Sequence, residues 1–213
     1  MIQALTGGLF DELTYLYIDE TTKHGFVIDP GMDGVRLAEY IKEQGWTIEK
    51  ILITHGHLDH IRGAKELREK TGADIVIHKE GQIYLEDPNW NLSLGFFNEP
   101  ITLSADKYVE HGDEIALEAN SEFKVRVIHA PGHTTDGVAY YSEKEAVAFV
   151  GDIIFEGSVG RSDLPGGNAI RLLNAIRTQI FTLPDETVLF PGHGNQTTVK
   201  KERETSPVFN FYD

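Results

Sequence analysis

No cysteine occurs among the 213 residues. That excludes disulfides, thiolate nucleophiles and sulfur metal ligands, and it leaves histidine and carboxylate as the strong ligands available to this chain. Basic residues are also scarce, with 19 Lys and Arg against 34 Asp and Glu, a net charge of −15. Charge of that sign argues against nucleic acid or an anionic lipid surface as the main partner. No run approaches the roughly 18 apolar residues of a membrane span, so no membrane segment is expected. Met1 to Gly8 lacks the basic flank and apolar core of a secretion signal, and a cytoplasmic location is the expectation. Linkers and low-complexity tracts are missing too, so residues 1–213 read as a single domain, long enough to bury a full core.

Against those absences stands one dense stretch, Ile51-Leu52-Ile53-Thr54-His55-Gly56-His57-Leu58-Asp59-His60. A β-branched apolar run reads as a buried strand. It ends in three histidines and an aspartate, which have the donor types and crowding of a metal site. Side chains two apart in an extended segment point the same way, so His55 and His57 can converge on one ion. After Leu58 the spacing of Ile61, Ala64, Leu67 and Arg68 predicts a helix, with Asp59 and His60 in its first turn. The plain alternative is a helix capped by Asp59 beside histidines that only hydrogen-bond.

Three more ligand-type residues follow apolar strands at glycine-bearing turns: Pro131-Gly132-His133, Gly151-Asp152 and Pro191-Gly192-His193. Strand ends hold side chains firmly, and glycine lets backbone approach closely. Each alone is weak, and the recurrence of the pattern gives it weight.

The remaining chain reads as strands at 2–6, 13–19 and 24–29, a helix from Asp33 to Gln44 and a strand at Asp74 to His78. Residues 79–105 are the least regular, with Pro88, Trp90, Phe96, Phe97 and Pro100 in a segment placed to cover the site. Strands then recur at Tyr108-Val109, Glu114 to Glu118, Phe123 to His129, Gly137 to Ser142 and Ala146 to Val150. A helix from Asn168 to Phe181, a strand from Thr187 to Phe190 and a short helix at Val199 to Arg203 complete the list. Two sheets packed face to face with helices outside satisfy this order. Tyr17, Tyr140 and Tyr141 read as core or wall residues, and His24, His78, His111 and His129 as structural or solvated.

Taken together, Thr54 to His60, Pro131-Gly132-His133, Gly151-Asp152 and Pro191-Gly192-His193 resemble the motif set of the metallo-β-lactamase-fold hydrolases, in order and over the whole chain. The resemblance implies an α/β fold, an αββα four-layer sandwich of two mixed sheets flanked by helices. It implies two divalent metal ions, with zinc as the first expectation and iron or manganese as others. His55, His57 and His133 would hold the first ion, Asp59, His60 and His193 the second, and Asp152 would bridge them. Phe155 to Gly167 is similar to the glyoxalase II group, in its short bacterial form. The implied reaction is hydrolysis of a small-molecule hydroxyacyl thioester by a metal-bridging hydroxide, with Asp59 also orienting the nucleophile. Arg161 is a candidate for a substrate carboxylate, or else fixes its own loop through Asp163. The chain runs 20 residues past His193, without the helical domain that longer glyoxalase II enzymes use for glutathione. The expectation therefore leaves the thiol carrier open, as it does the oligomeric state.

Two enzymatic alternatives resemble the same motifs. A persulfide dioxygenase-like oxygenase would use one iron held by His55, His133 and Asp152, and a lactonase would differ in its pocket walls. A protein that binds metal for stability alone is the non-catalytic alternative, and seven ligands exceed the four of a closed structural site.

Overall fold

Alternation along single strands decides the layering. The computed structural model describes residues 1–98 and 100–210, without the side chains of Leu9, Phe96, Phe97 and Asn210. In β2 (Leu13–Ile18), Tyr15 and Tyr17 face one core while Leu16 and Ile18 face another. The same split occurs in β10 (Val147–Gly151), where Phe149 joins the first core and Ala148 and Val150 a third. A strand buried on both faces needs this near-continuous apolar run, which is why these segments lack a polar face.

The first sheet runs in the order β1 (Ile2–Thr6), β2, β3 (His24–Ile28), β4 (Thr47–Leu52), β5 (Asp74–His78), β6 (Lys107–Val109). β1 to β3 are antiparallel neighbours, and β3 to β6 pair in parallel. The second sheet also includes β7 (Glu114–Ala116), β8 (Lys124–His129), β9 (Val138–Ser142), a short hairpin apart from it, β11 (Ile154–Phe155) and β12 (Ser158–Val159), being passed over before β13 (Val188–Pro191) and β14 (Thr197–Thr198). Its order is β14-β13-β10-β9-β8-β7, with the β10–β13 pair parallel. Aromatic residues of both sheets, Tyr15, Tyr17, Phe26, Tyr140 and Phe149, with Phe123 just before β8, fill the space between them.

Helices α1 (Gly34–Glu43), α2 (Leu58–Ile61) and α3 (Ala64–Thr71) cover the outer face of the first sheet through Leu37, Ile41, Ile61 and Leu67. Two short helices, α4 (Gln82–Glu86) and α5 (Ser93–Phe97), lie in the irregular segment. α6 (Ala169–Ala175), its π-helical continuation Ile176–Ile180, α7 (Val199–Thr205) and α8 (Pro207–Asn210) lie beyond the second sheet, which they cover through Leu172, Ile176, Ile180, Val199 and Phe209. The layers are helix, sheet, sheet, helix, as the sequence implied.

Local departures have physical causes. The expected continuous helix after Leu58 is broken at Arg62-Gly63, because Gly63 N–H donates to Pro30 O at 2.8 Å and a side chain there would meet Met32 O. Asp59 is not an N-cap: His57 precedes α2 in extended backbone, and Asp59 lies in the first turn. The strand at 51–53 begins earlier, at Thr47, and those beginning at 114 and 123 are trimmed to 114–116 and 124–129. Among the described residues, no helix is long and apolar enough to cross a membrane.

Candidate metal centre

The two sheets are stitched together where the ligand-type residues emerge. Tyr140 Oη donates to Ile53 O at 2.8 Å and Val138 N–H to Thr54 O at 2.9 Å, tying the second sheet to the end of β4. Tyr15 Oη donates to Pro191 O at 2.6 Å, and Leu13 N–H to Gly192 O at 2.8 Å, tying the first sheet to the end of β13. Gly192 N–H in turn donates to Gly151 O at 2.9 Å. Residues far apart in sequence therefore arrive at one edge of the sandwich on braced strand ends. Gly192 has to be glycine, since a Cβ there would stand 2.5 Å from Asp152 Oδ1 and from His60 Cε1.

The structure brings all seven sequence-predicted ligand residues together. His55, His57 and His133 form one group, Asp59, His60 and His193 a second, and His55, His60 and Asp152 a third that overlaps both. In the first group, His57 Nδ1 lies 3.1 Å from His55 Nε2 and 3.0 Å from His133 Nε2. In the second, Asp59 Oδ2 lies 3.2 Å from His193 Nε2 and 3.8 Å from His60 Nε2. Asp152 stands between them, with Oδ2 3.6 Å from His133 Nε2 and 3.7 Å from His193 Nε2, and Oδ1 3.5 Å from His60 Nε2.

The far side of each ring explains which nitrogen faces in. His60 Nδ1 meets Asp29 Oδ2 at 2.9 Å, His133 Nδ1 meets Arg161 O at 2.7 Å, and His193 Nδ1 meets Phe10 O at 3.1 Å. His55 Nδ1 lies 3.2 Å from Thr54 Oγ1, whose hydroxyl donates to Asp29 Oδ2 at 2.6 Å. An acceptor on one side places the proton there, so these four rings turn an Nε2 lone pair toward the cluster. Asp29 is anchored by Thr54 N–H at 2.7 Å and holds a backbone φ of 48°, a left-handed conformation that brings its carboxylate under the site.

Electrostatics follow the same division. Burial, reinforced by the neighbouring imidazoles, drives His55 well below the ordinary histidine range and His57 down to about 3. Burial also lowers His133, against the pull of Asp152. Those three rings stay neutral, as metal ligation requires. Burial would lower His60 as well, but Asp59, Asp29 and Asp152 overcome it and raise this ring well above its usual value. Burial would likewise raise the Asp152 carboxyl, yet His60, His133 and His193 hold it below the usual carboxylate range.

The donor set suits divalent ions. His60 Nε2 and Asp152 Oδ1, 3.5 Å apart, are buried without a hydrogen-bond partner. Buried polar atoms ordinarily find partners, so a cluster of exceptions at one point asks for one. Ligands about 2.0–2.1 Å from a tetrahedral zinc lie about 3.3 Å from one another. The spacings of 3.0–3.1 Å in the first group and 3.2–3.8 Å around Asp59 and Asp152 suit that requirement. The residues fit.

The cluster forms one side of a cavity of about 230 Å³ whose other walls are Phe10, Leu58, Leu92, Arg161 and Leu164. Leu92 comes from the irregular segment, which therefore borders the site as expected; residue 99 and the side chains of Phe96 and Phe97 lie outside the described residues. Phe10 and Leu92 have backbone φ of 59° and 71°. For bulky side chains this costs of order 1–3 kcal/mol and is usually met at functional sites. Arg161 is placed as the loop-fixing reading anticipated. Its Nε and Nη2 each reach Asp163 at 2.8 Å, while its carbonyl holds His133.

Several contributors left no mark in the sequence reading. Asp29 ends the expected strand 24–29, an aspartate closing an apolar run as Asp152 does, yet it drew no functional expectation. Asp136 is buried, and its Oδ2 accepts Gly56 N–H at 2.9 Å between two ligand histidines. Tyr84 Oη accepts Thr135 N–H at 3.0 Å and donates to Pro165 O at 3.2 Å, bracing both loops beside His133. The carbonyls of Phe10 and Arg161 carry no side-chain signal at all. His24, His78, His111 and His129 lie apart from the centre: His24 pairs with Glu49 at 2.7 Å, and His78 stacks on His129 at 3.9 Å.

Known proteins bear the same stamp. A probable metallo-hydrolase of Bacillus subtilis, YqgX, is 35% identical over 187 residues, 87% of each chain. The hydroxyacylglutathione hydrolase GloC of Haemophilus influenzae is 32% identical over 190 residues, 88% of each chain. Among solved structures, the BLEG-1 B3 metallo-beta-lactamase superposes with a TM-score of 0.91 at 33% identity, over 98% of this chain and 99% of that one. TTHA1623 in a di-iron-bound form superposes at 0.83 with 31% identity, over 97% and 99%. The metallo-beta-lactamase superfamily pattern matches residues 7–193, a span that contains every residue of the centre. With that match, and with relatives of this identity and coverage, the chain belongs to the metallo-beta-lactamase superfamily.

Proposed function

We propose that this chain is a dinuclear metal-dependent hydrolase that cleaves a hydroxyacyl thioester, such as a lactoyl thioester, to the acid and the thiol. The observation that carries the reading is Asp152, whose carboxylate lies within 3.5–3.7 Å of ring nitrogens from both ligand groups. A carboxylate so placed serves two ion sites at once. Likeness to GloC supports the choice of thioester.

His55, His57 and His133 would hold one ion, and Asp59, His60 and His193 the other, with Asp152 between. Two divalent cations supply, when bound, an acidified water and a Lewis acid for a carbonyl. Imidazole and carboxylate donors suit zinc, iron or manganese, and the di-iron neighbour keeps iron in view. The chain's own residues do the rest. Asp59 borders the cavity and can take the proton of an attacking water at its carboxylate. Asp29 keeps His60 Nδ1 protonated, and the Phe10 carbonyl does so for His193. Apolar walls at Leu58, Leu92 and Leu164 limit water around the bound thioester. A thiolate leaves without a proton from the protein, so no residue is assigned as general acid.

Likeness to the BLEG-1 structure favours a second reading, hydrolysis of a β-lactam amide at the same centre. One experiment separates the readings: metal analysis of the purified protein, with S-lactoyl thioesters and a chromogenic cephalosporin assayed in parallel. Two ions per chain with thioester turnover supports the proposal. Turnover of the cephalosporin alone favours the second reading, and a single iron with oxygen uptake overturns both.

A further inference from the structure

The walls of the cavity address whatever is attached to the substrate sulfur, because the ligand cluster forms its floor. Phe10, Leu58, Leu92 and Leu164 are apolar. Apart from histidine, Arg161 is the one basic side chain among the described residues lining the cavity. Its guanidinium is engaged in a two-point pair with Asp163, at 2.8 Å for each bond. That pair is exposed, so its partners can exchange, but it stays neutral as a unit and offers an incoming carboxylate no net attraction. Two of the four apolar walls, Phe10 and Leu92, are presented from left-handed backbone, a costly way to place a bulky side chain. The whole chain carries −15, so its far field also repels anions. Finally, about 230 Å³ falls below the roughly 300 Å³ at which sites for larger ligands begin.

We infer that this site selects thioesters whose thiol arm is short, apolar and uncharged beside the sulfur, in preference to a carrier bearing carboxylates such as glutathione. The inference rests on the thioester reading above for its reaction, and on the cavity walls for its selectivity. The mechanism of selection is exclusion of water by the four apolar side chains around a neutral arm. An anionic arm has to leave its hydration at a wall with no unpaired cation to receive it.

The test compares S-lactoyl-N-acetylcysteamine with S-lactoylglutathione on the metal-loaded protein. In parallel, calorimetry compares binding of their S-alkyl thioether analogues, which cannot be hydrolysed. Wild type is expected to show kcat/KM at least tenfold higher for the neutral thioester, and tighter binding of the neutral thioether. Leu92→Asn, which tolerates the same backbone conformation, is expected to raise KM for the neutral substrate about fivefold with kcat little changed. Asp163→Asn leaves the Arg161 charge uncompensated, and is expected to raise kcat/KM for the glutathione thioester severalfold. Equal or better use of the glutathione thioester by wild type would overturn the inference, as would equal binding of the two thioethers. Absence of turnover on both thioesters, with the binding preference intact, would instead refute the reaction and leave the selectivity standing.

Discussion

Asp29 shows how much of the centre depends on residues that would not themselves touch an ion. Its carboxylate holds Thr54 through two bonds and His60 Nδ1 through a third, so it sets both the position and the tautomer of a ligand. Asp29→Asn keeps the volume and puts a donor where an acceptor is needed. Outer partners of this kind are worth about 10–100-fold in metal affinity. The variant is therefore expected to lose metal at chelator concentrations that leave wild type loaded, as read by competition with a chromophoric chelator. Affinity within a factor of two of wild type would contradict that role. Asp136 makes a different case. Burial, only partly offset by the hydrogen bond from Gly56 N–H, raises its carboxyl to about 7 from an ordinary 3.8. Between those values the folded chain holds a proton that the unfolded chain releases, so stability falls as pH rises through the window. Asp136→Asn removes the ionisation and retains an acceptor for Gly56 N–H. In chelator-treated protein, its Tm advantage over wild type is expected to be near zero at pH 4. By pH 8 it should grow to about 8–16 °C, equivalent to the roughly 4 kcal/mol that separates a carboxyl at about 7 from one at 3.8. A difference independent of pH would show that Asp136 is not titrating in that range.

At the scale of the elements, the centre is an edge feature held by cross-sheet bonds. Tyr140 lies on β9, fully buried, and its hydroxyl reaches the carbonyl at the end of β4, one residue before Thr54. Tyr140→Phe keeps the ring in the aromatic core and leaves Ile53 O without that donor. A lost buried hydrogen bond of this kind costs about 1 kcal/mol. Urea unfolding is expected to show that loss with an unchanged m-value, and no measurable loss would mean that water replaces the bond. The strands were legible in the sequence because their apolar runs are continuous, and the helices because their spacing is helical. The break at Arg62-Gly63 was not, since it exists to admit the Pro30–Met32 backbone from another part of the chain. Nor was the small β11–β12 hairpin, whose turn at Gly157 is held by Glu202 from α7 through a 2.9 Å bond. Local pattern records what a residue buries, and it does not record which distant backbone comes to meet it.

Over the whole molecule, three cores separated by two sheets fix the positions of the strand ends and the short helix α2 that carry five imidazoles and two carboxylates. All seven were named from the sequence, because ligand-type residues at strand ends form a spaced pattern along the chain. The supporting carbonyls of Phe10 and Arg161 were invisible there, since every residue has one. The same view explains why ligand loss should be felt as stability: neutral buried imidazoles beside unpartnered nitrogen and oxygen atoms are costly without an ion to receive them. Chelation is accordingly expected to lower Tm by several degrees, reversibly on adding back zinc or iron, and an unchanged Tm would argue against a filled centre. The most direct measurement is metal stoichiometry by plasma mass spectrometry on wild type and on His57→Ala and His193→Ala, each shown to be folded by circular dichroism. Two ions per chain in wild type and close to one in each variant is the predicted result. One ion or none in wild type, or two ions retained in both variants, would contradict the dinuclear centre.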